Sequence, residues 1–131
     1  MTPDSSPPTA ALRRWLARLR DPASRQAFNS LYSGDAACPL GHGARACADL
    51  LGLVVTDRGA VDRDDPAIVL LTSQIINRFV AIGFDRFTLL RILRLNDDQR
   101  LSLAQTADWL ERQCRKQERR RSVSARRETA P

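Results

Sequence analysis

Asp65-Pro66-Ala67-Ile68-Val69-Leu70-Leu71-Thr72-Ser73-Gln74-Ile75-Ile76-Asn77-Arg78-Phe79-Val80-Ala81-Ile82-Gly83 is the stretch on which the fold class turns. Asp65 followed by Pro66 is a cap with proline in the first helical position, and Gly83 is a stop. Between them apolar residues cover almost the whole circumference of a helix, so residues 67–82 are expected to form the central, buried helix. The same opening signal recurs at Asp21-Pro22. It predicts a short helix with Ala27, Phe28, Leu31 and Tyr32 facing inward, ended by Ser33-Gly34-Asp35.

Working outward, Leu12, Trp15, Leu16 and Leu19 form an apolar stripe at helical spacing behind a Thr9 cap, with Arg13, Arg14, Arg18 and Arg20 on the other faces. Leu40, Ala44, Cys47 and Leu51 mark a helix over residues 39–51, weakened by Gly41 and Gly43 and ended by Gly52. Residues 53–65 read as a loop, with Val54-Val55-Thr56 as a short extended piece or a hairpin arm. Asp85 caps a helix from Arg86 to Leu95 that carries Leu89, Ile92 and Leu93. Asn96-Asp97-Asp98 breaks it. Ser102 and Gln105 form a capping box for a last helix bearing Leu103, Ala107, Leu110 and Cys114. The chain therefore reads as all-α, a compact bundle of five or six short helices over residues 9–114. Residues 1–8 form a disordered, Pro-rich lead-in, and residues 115–131 an Arg-rich helix end that gives way to disorder after about Arg121.

A chain of 131 residues is long enough to bury a core without disulfides or metal. Aromatics make up only 5%, so Leu, Ile, Val and Ala must fill that core. No run approaches the roughly 20 apolar residues of a membrane helix. The polar start is unlike a secretory signal, which makes the cytoplasm the expected location. The net charge of +6 is unevenly spread: residues 22–111 carry nine Arg against eleven acids, whereas residues 112–131 carry eight basic residues against two Glu. The high isoelectric point thus describes the tail and not the folded body. Lys116 is the only lysine, a bias that suits guanidinium chemistry or a GC-rich genome equally.

Four constellations invite chemistry. Cys38, His42 and Cys47, with Cys114 as a fourth donor, offer zinc-type ligands, but the leading Cys-x2-Cys of a zinc knuckle is absent. Buried structural thiols and a surface histidine are the plainer expectation. Cys38 and His42 stand at i and i+4, as a thiol and its base would, yet no other hydrolase signature accompanies them; Asn96 or Asp97 would have to orient the imidazole. Asp57, Asp62, Asp64 and Asp65 lack the ligand order of a calcium loop. Residues 88–113 resemble a helix–turn–helix, but the link of residues 96–101 is long and Asp108 and Glu111 suit a phosphate-rich groove poorly. No catalytic, cofactor or metal residues are assigned, and no small-molecule substrate is expected.

Three segments resemble a family of short, functionally uncharacterised proteins of phages and bacteria whose motifs read W-x-x-A-L-R-S-G, C-C-L-G-V-L, and L-N-D followed by S-F-x-x-I-A-D-x-I-E. The counterparts are Phe28-Asn29-Ser30-Leu31-Tyr32-Ser33-Gly34, then Ala37-Cys38-Pro39-Leu40-Gly41, then Leu95-Asn96-Asp97 with Ser102 to Glu111. The chain is similar also to actinobacterial proteins with C-P-L-G and W-N-D. Phe28 stands for Trp, Ala37 for the first Cys, and no Gly precedes Ser102. The resemblance implies fold-defining roles for Phe28, Gly34, Cys38, Gly41, Asn96, Asp97 and Ser102, and a phage or mobile-element accessory role without catalysis.

The function expected is non-enzymatic binding of a protein partner, as an inhibitor or regulator of a host machine. The alternative is nucleic-acid binding through Arg112, Arg115, Lys116, Arg119, Arg120, Arg121, Arg126 and Arg127. With no aromatic after Trp109 to stack on bases, such binding would be to phosphates and of low sequence specificity. A cut after Gln113 is expected to abolish it and spare the fold.

Overall fold

Helix α1 (Pro7–Arg20) carries the stripe read from the sequence: Ala11, Trp15, Leu16 and Leu19 are buried and Arg13, Arg14 and Arg20 exposed. It starts at Pro7, two residues before the expected Thr9 cap, because proline is readily accepted in the first turn, where its missing N–H has no intrahelical partner. The computed structural model describes residues 7–53 and 66–129. Over these the order is α1, a two-stranded hairpin β1 (Tyr32–Ser33) and β2 (Ala36–Ala37), then α2 (Pro39–Leu51), α3 (Pro66–Ala81), α4 (Arg86–Asp97) and α5 (Leu103–Thr129). The all-α reading holds, with five helices among the described residues.

Helix α2 is the hub, touching α1, α3, α4 and the hairpin. Its small residues make this possible. A Cβ on Gly43 would lie 2.6 Å from Trp15 Cε2, and one on Gly41 would lie 2.6 Å from the Leu31 carbonyl oxygen. The glycines that looked like helix weaknesses are the points where α1 and the hairpin approach the α2 backbone. Trp15 fills the first gap, donates its Nε1–H to the Pro39 carbonyl at 2.8 Å, and stacks on Phe79 with ring centroids 4.6 Å apart. Phe84 closes the cluster, 5.1 Å from Phe79 in an edge-on arrangement. Gly52, in the left-handed conformation with φ 67°, ends α2 as expected.

Two expectations are corrected. Residues 22–32 are not a helix. The Asp21 carboxylate accepts from the Ala23 N–H at 2.9 Å, which makes Asp21-Pro22 a turn and not a helix start. The backbone then pairs with β2: Ala27 N–H donates to the Ala37 carbonyl and Ala37 N–H to the Arg25 carbonyl, each at 3.0 Å. Gly34, with φ 62°, takes the first position of the two-residue hairpin loop, where a positive φ favours glycine. Ala27, Leu31 and Tyr32 are still buried and Phe28 half-buried, so the inward set was right and its backbone wrong. Nor is α3 the centre. Ile75, Ile76 and Phe79 are buried, but Val69 and Leu70 are 52% and 62% exposed. One face packs on the hub, and an apolar circumference does not bring partners to the other.

The cap signals at Asp85 and Ser102 are realised. Asp85 accepts from Thr88 N–H at 3.0 Å, and Ser102 and Gln105 exchange both bonds of the capping box at 2.9 and 3.1 Å. Helix α5 continues to Thr129, where disorder was expected from residue 122. Arg, Gln, Glu and Ala are good helix formers, and no Gly or Pro interrupts them before Pro131. The acidic loop of Asp57 to Asp65 with its cap, the Val54-Val55-Thr56 piece and residues 1–6 of the lead-in lie outside the described residues.

Gly43→Ala pits a helix-propensity gain of about 1 kcal/mol against overpacking of a buried, stacked indole, about 1–3 kcal/mol or more. Sterics should win, giving net destabilisation in urea unfolding. Ser102→Ala should cost about 1 kcal/mol through its cap, without altering the helical circular dichroism signal.

Candidate functional site

His42 is buried, 1% exposed, and not the surface residue expected. Its Nε2–H donates to the Arg25 carbonyl at 2.6 Å, and its Nδ1 accepts from Arg18 Nε–H at 2.9 Å. The arginine can only donate, which sets the neutral tautomer protonated at Nε2. Desolvation lowers the imidazole pKa, opposed by the Arg25 carbonyl and reinforced by the Arg18 and Arg45 cations. Cys38 is the N-cap of α2, and its Sγ accepts from Gly41 N–H at 3.4 Å. Both ring nitrogens are thus engaged by Arg25 and Arg18 and not by the Cys38 thiol. Cys47 donates to the Ala11 carbonyl at 3.3 Å where α2 kinks, and burial pushes its thiol up to about 11. Burial does the same to Cys114, also to about 11. The cysteines form no disulfide, and no cluster of three metal-type donors occurs among the described residues.

Asn96 and Asp97 are brought to residues 26–29. Asn96 Oδ1 accepts from Gln26 Nε2 at 2.7 Å, and its Nδ2 donates to the Ala27 carbonyl at 2.9 Å. Asp97 accepts from the Asn29 N–H at 2.9 Å, which helps hold Asn29 at φ 55°. Gln26 also reaches the Leu101 carbonyl. Phe28 lies under the Arg100 guanidinium at 4.7 Å. Arg45 binds the Gly34 and Asp35 carbonyls and covers Tyr32. Phe28, Gly34, Cys38, Gly41, Asn96 and Asp97 all lie in or against the segment between α1 and α2, whereas Ser102 caps α5.

The tail residues do not act as one patch. Arg121 donates to the Gly83 carbonyl at 2.8 Å, and Arg115 pairs with Glu111 at 3.3 Å. At 100° per residue Arg112, Arg115, Lys116, Arg119 and Arg120 fall within an arc of about 140° on α5, with Arg121 off to the other side. All five are exposed. Arg126 and Arg127 lie on the last turns of α5; their side chains lie outside the described detail.

Lys116 and Arg120 also border a groove of about 720 Å³ along α4 and α5. Phe87, Leu90, Leu93 and Trp109 supply its apolar surface; Arg91 and Arg94 flank it on α4. Phe87 is 81% and Leu90 44% exposed. The two helices fold back on each other, so that Gln117 Nε2 reaches Thr88 Oγ1 at 2.9 Å. The one carboxylate lining the groove, Asp85, accepts from both the N–H and the hydroxyl of Thr88. Asp108 and Glu111 of α5 lie elsewhere, both accepting from Arg20 of α1, at 2.8 and 3.0 Å, and Glu118 lines a separate cavity beside Thr9 and Leu12 of α1. That pairing leaves the groove side of α5 cationic.

Comparison with known protein families, with curated proteins and with solved structures finds no match. Apart from Lys116 and Arg120, the groove residues were not singled out from the sequence. A signal was present: at helical spacing Phe87 sits opposite the Leu89–Ile92–Leu93 stripe, an aromatic on the polar face.

Because the folded state lowers the His42 pKa, the unfolded chain binds the proton more readily. Stability from this site is full above about pH 6.5, the ordinary value, and is lost as pH falls through the lowered folded value. Urea midpoints of the wild type should therefore decline from pH 7 to pH 5. His42→Gln, less stable at pH 7, should show a flatter profile over that range.

Proposed function

We propose that this protein is a small non-enzymatic binding protein that engages a protein partner through the α4–α5 groove. The exposure of Phe87 at its mouth carries the reading. A large aromatic held in the open beside Leu90, on a chain poor in aromatics, is an anchor of the type that dominates interfaces. Covering Phe87 and Leu90 contributes about 1.5–3 kcal/mol each. Rim cations add about 0–1 kcal/mol each but set partner choice and association rate. The motif resemblance to short phage and bacterial proteins supports an accessory role of phage or mobile-element type, as an inhibitor or regulator of a host machine.

A second reading, nucleic-acid binding, is favoured by the cationic arc of α5. It uses phosphate contacts and low sequence specificity. A cut after Gln113 would not test it, since Cys114 packs on the core and Gln117 and Arg121 anchor α5 to Thr88 and Gly83. Charge reversal of the exposed Arg112 and Arg119 leaves those anchors in place.

Phe87 replaced by a photoreactive phenylalanine analogue should crosslink, in the native host, to one identifiable protein. The same analogue at exposed Ala17 on α1 should not, and Arg91→Glu with Arg94→Glu should suppress the adduct. Adducts to nucleic acid alone, or equal capture at both positions, would refute the groove reading. Under the second reading, duplex oligonucleotides should bind with a log–log salt slope of about −4 to −7. Arg112→Glu with Arg119→Glu should make that slope shallower. No binding at low salt would remove that reading.

A further inference from the structure

We infer that the occupant of the α4–α5 groove is an acidic amphipathic helix, a proposal that rests on the partner-binding reading above and specifies its chemistry. The groove has two cationic rails and an apolar strip. Arg91 and Arg94 stand at i and i+3 along α4, Lys116 and Arg120 at i and i+4 along α5, and all four are exposed. None of the four is in an ion pair among the described residues. Phe87, Leu90 and Trp109 supply the apolar strip.

The dimensions suit a helix. From Trp109 to Arg120 the groove follows α5 for twelve residues, eleven steps of 1.5 Å or about 16 Å, three turns. A partner helix of that length presents apolar anchors at i, i+4 and i+7 to the strip, and carboxylates beside that stripe to both rails. A single-stranded nucleic acid would satisfy the cations but not the strip. Leu90 and Leu93 have no π-face for a base, and Trp109 is partly buried, which leaves Phe87 as the one fully presented stacking surface. A basic partner would meet four like charges. The single lysine of the chain lies on one rail, so an amine there reports occupancy without ambiguity along α5.

The test uses the full-length protein and four probes. They are a labelled peptide of about 18 residues, longer than the groove, with a Leu/Phe stripe flanked by Glu; an isomer of the same composition with the stripe scrambled; the Lys-for-Glu counterpart; and a single-stranded oligonucleotide. Fluorescence anisotropy should show the acidic helix binding at least tenfold more tightly than the other two peptides. Arg91→Glu with Arg94→Glu, and separately Phe87→Ala, should each weaken it at least tenfold while thermal unfolding stays unchanged. Carbodiimide should couple a peptide carboxylate to Lys116, located by mass spectrometry. Lys116→Arg should keep the affinity and lose the adduct. Equal binding of the scrambled or Lys peptide, binding of none of the three, or displacement of the acidic peptide by the oligonucleotide at equal concentration overturns the inference. A specific protein adduct at position 87 with no preference for the acidic helix would overturn this chemistry while leaving partner binding standing. Failure of that adduct alone would remove the cellular reading and leave the groove's measured preference intact.

Discussion

The indole of Trp15 is the piece on which the other parts depend. It lies flat against α2 because Gly43 has no side chain, donates to the Pro39 carbonyl, and stacks on Phe79 of α3, with Phe84 closing the edge. Three helices and the entry to α4 are therefore referenced to one rigid side chain. With few aromatics available, concentrating three of them at this crossing gives the bundle a defined register that aliphatic packing alone would specify less sharply. The bond to Pro39 has a second consequence. That carbonyl belongs to the first turn of α2, so the indole also locates the helix start that Cys38 caps.

Around this apolar centre two buried polar groups hold the irregular segment between α1 and α2. His42 reaches it from α2 through the Arg25 carbonyl, and Asn96 reaches it from α4 through Gln26 and the Ala27 carbonyl. A segment with few regular backbone bonds needs such partners, because an unsatisfied buried polar group costs about 1–3 kcal/mol. His42 works in this role only when neutral, since its Nδ1 must accept from Arg18. Residues that look like a thiol–imidazole pair on paper are the fasteners of this loop, and the Asn96-Asp97 motif that looks like a turn signal is the other half of the same fastening.

Charge is sorted by the same packing. Arg20 of α1 gathers Asp108 and Glu111 of α5 on the α1 side. The opposite side, toward α4, keeps Lys116 and Arg120 beside Arg91 and Arg94. The folded body, mildly acidic as a whole, in this way presents one cationic concavity. Phe87 and Leu90 at its edge are apolar surface not used by the fold.

The sequence by itself determined the features that depend on a few neighbouring residues. The cap at Asp85, the capping box at Ser102, the stop at Gly52 and the inward stripes of α1 and α4 are interactions within about four positions, and all were legible. The tertiary structure alone decided the rest. Asp21-Pro22 carries the same local signal as a helix start, yet becomes a turn because Ala37 and Asn96 pair with the backbone that follows. The apolar circumference of α3 predicts burial but cannot say that the hub is α2, where glycines admit closer neighbours. The groove required knowing that Arg20 removes Asp108 and Glu111 from account and that α5 folds back along α4. These outcomes rest on contacts between residues up to 91 positions apart, and local propensity of a few tenths of a kcal/mol per residue yields to such contacts wherever the two disagree.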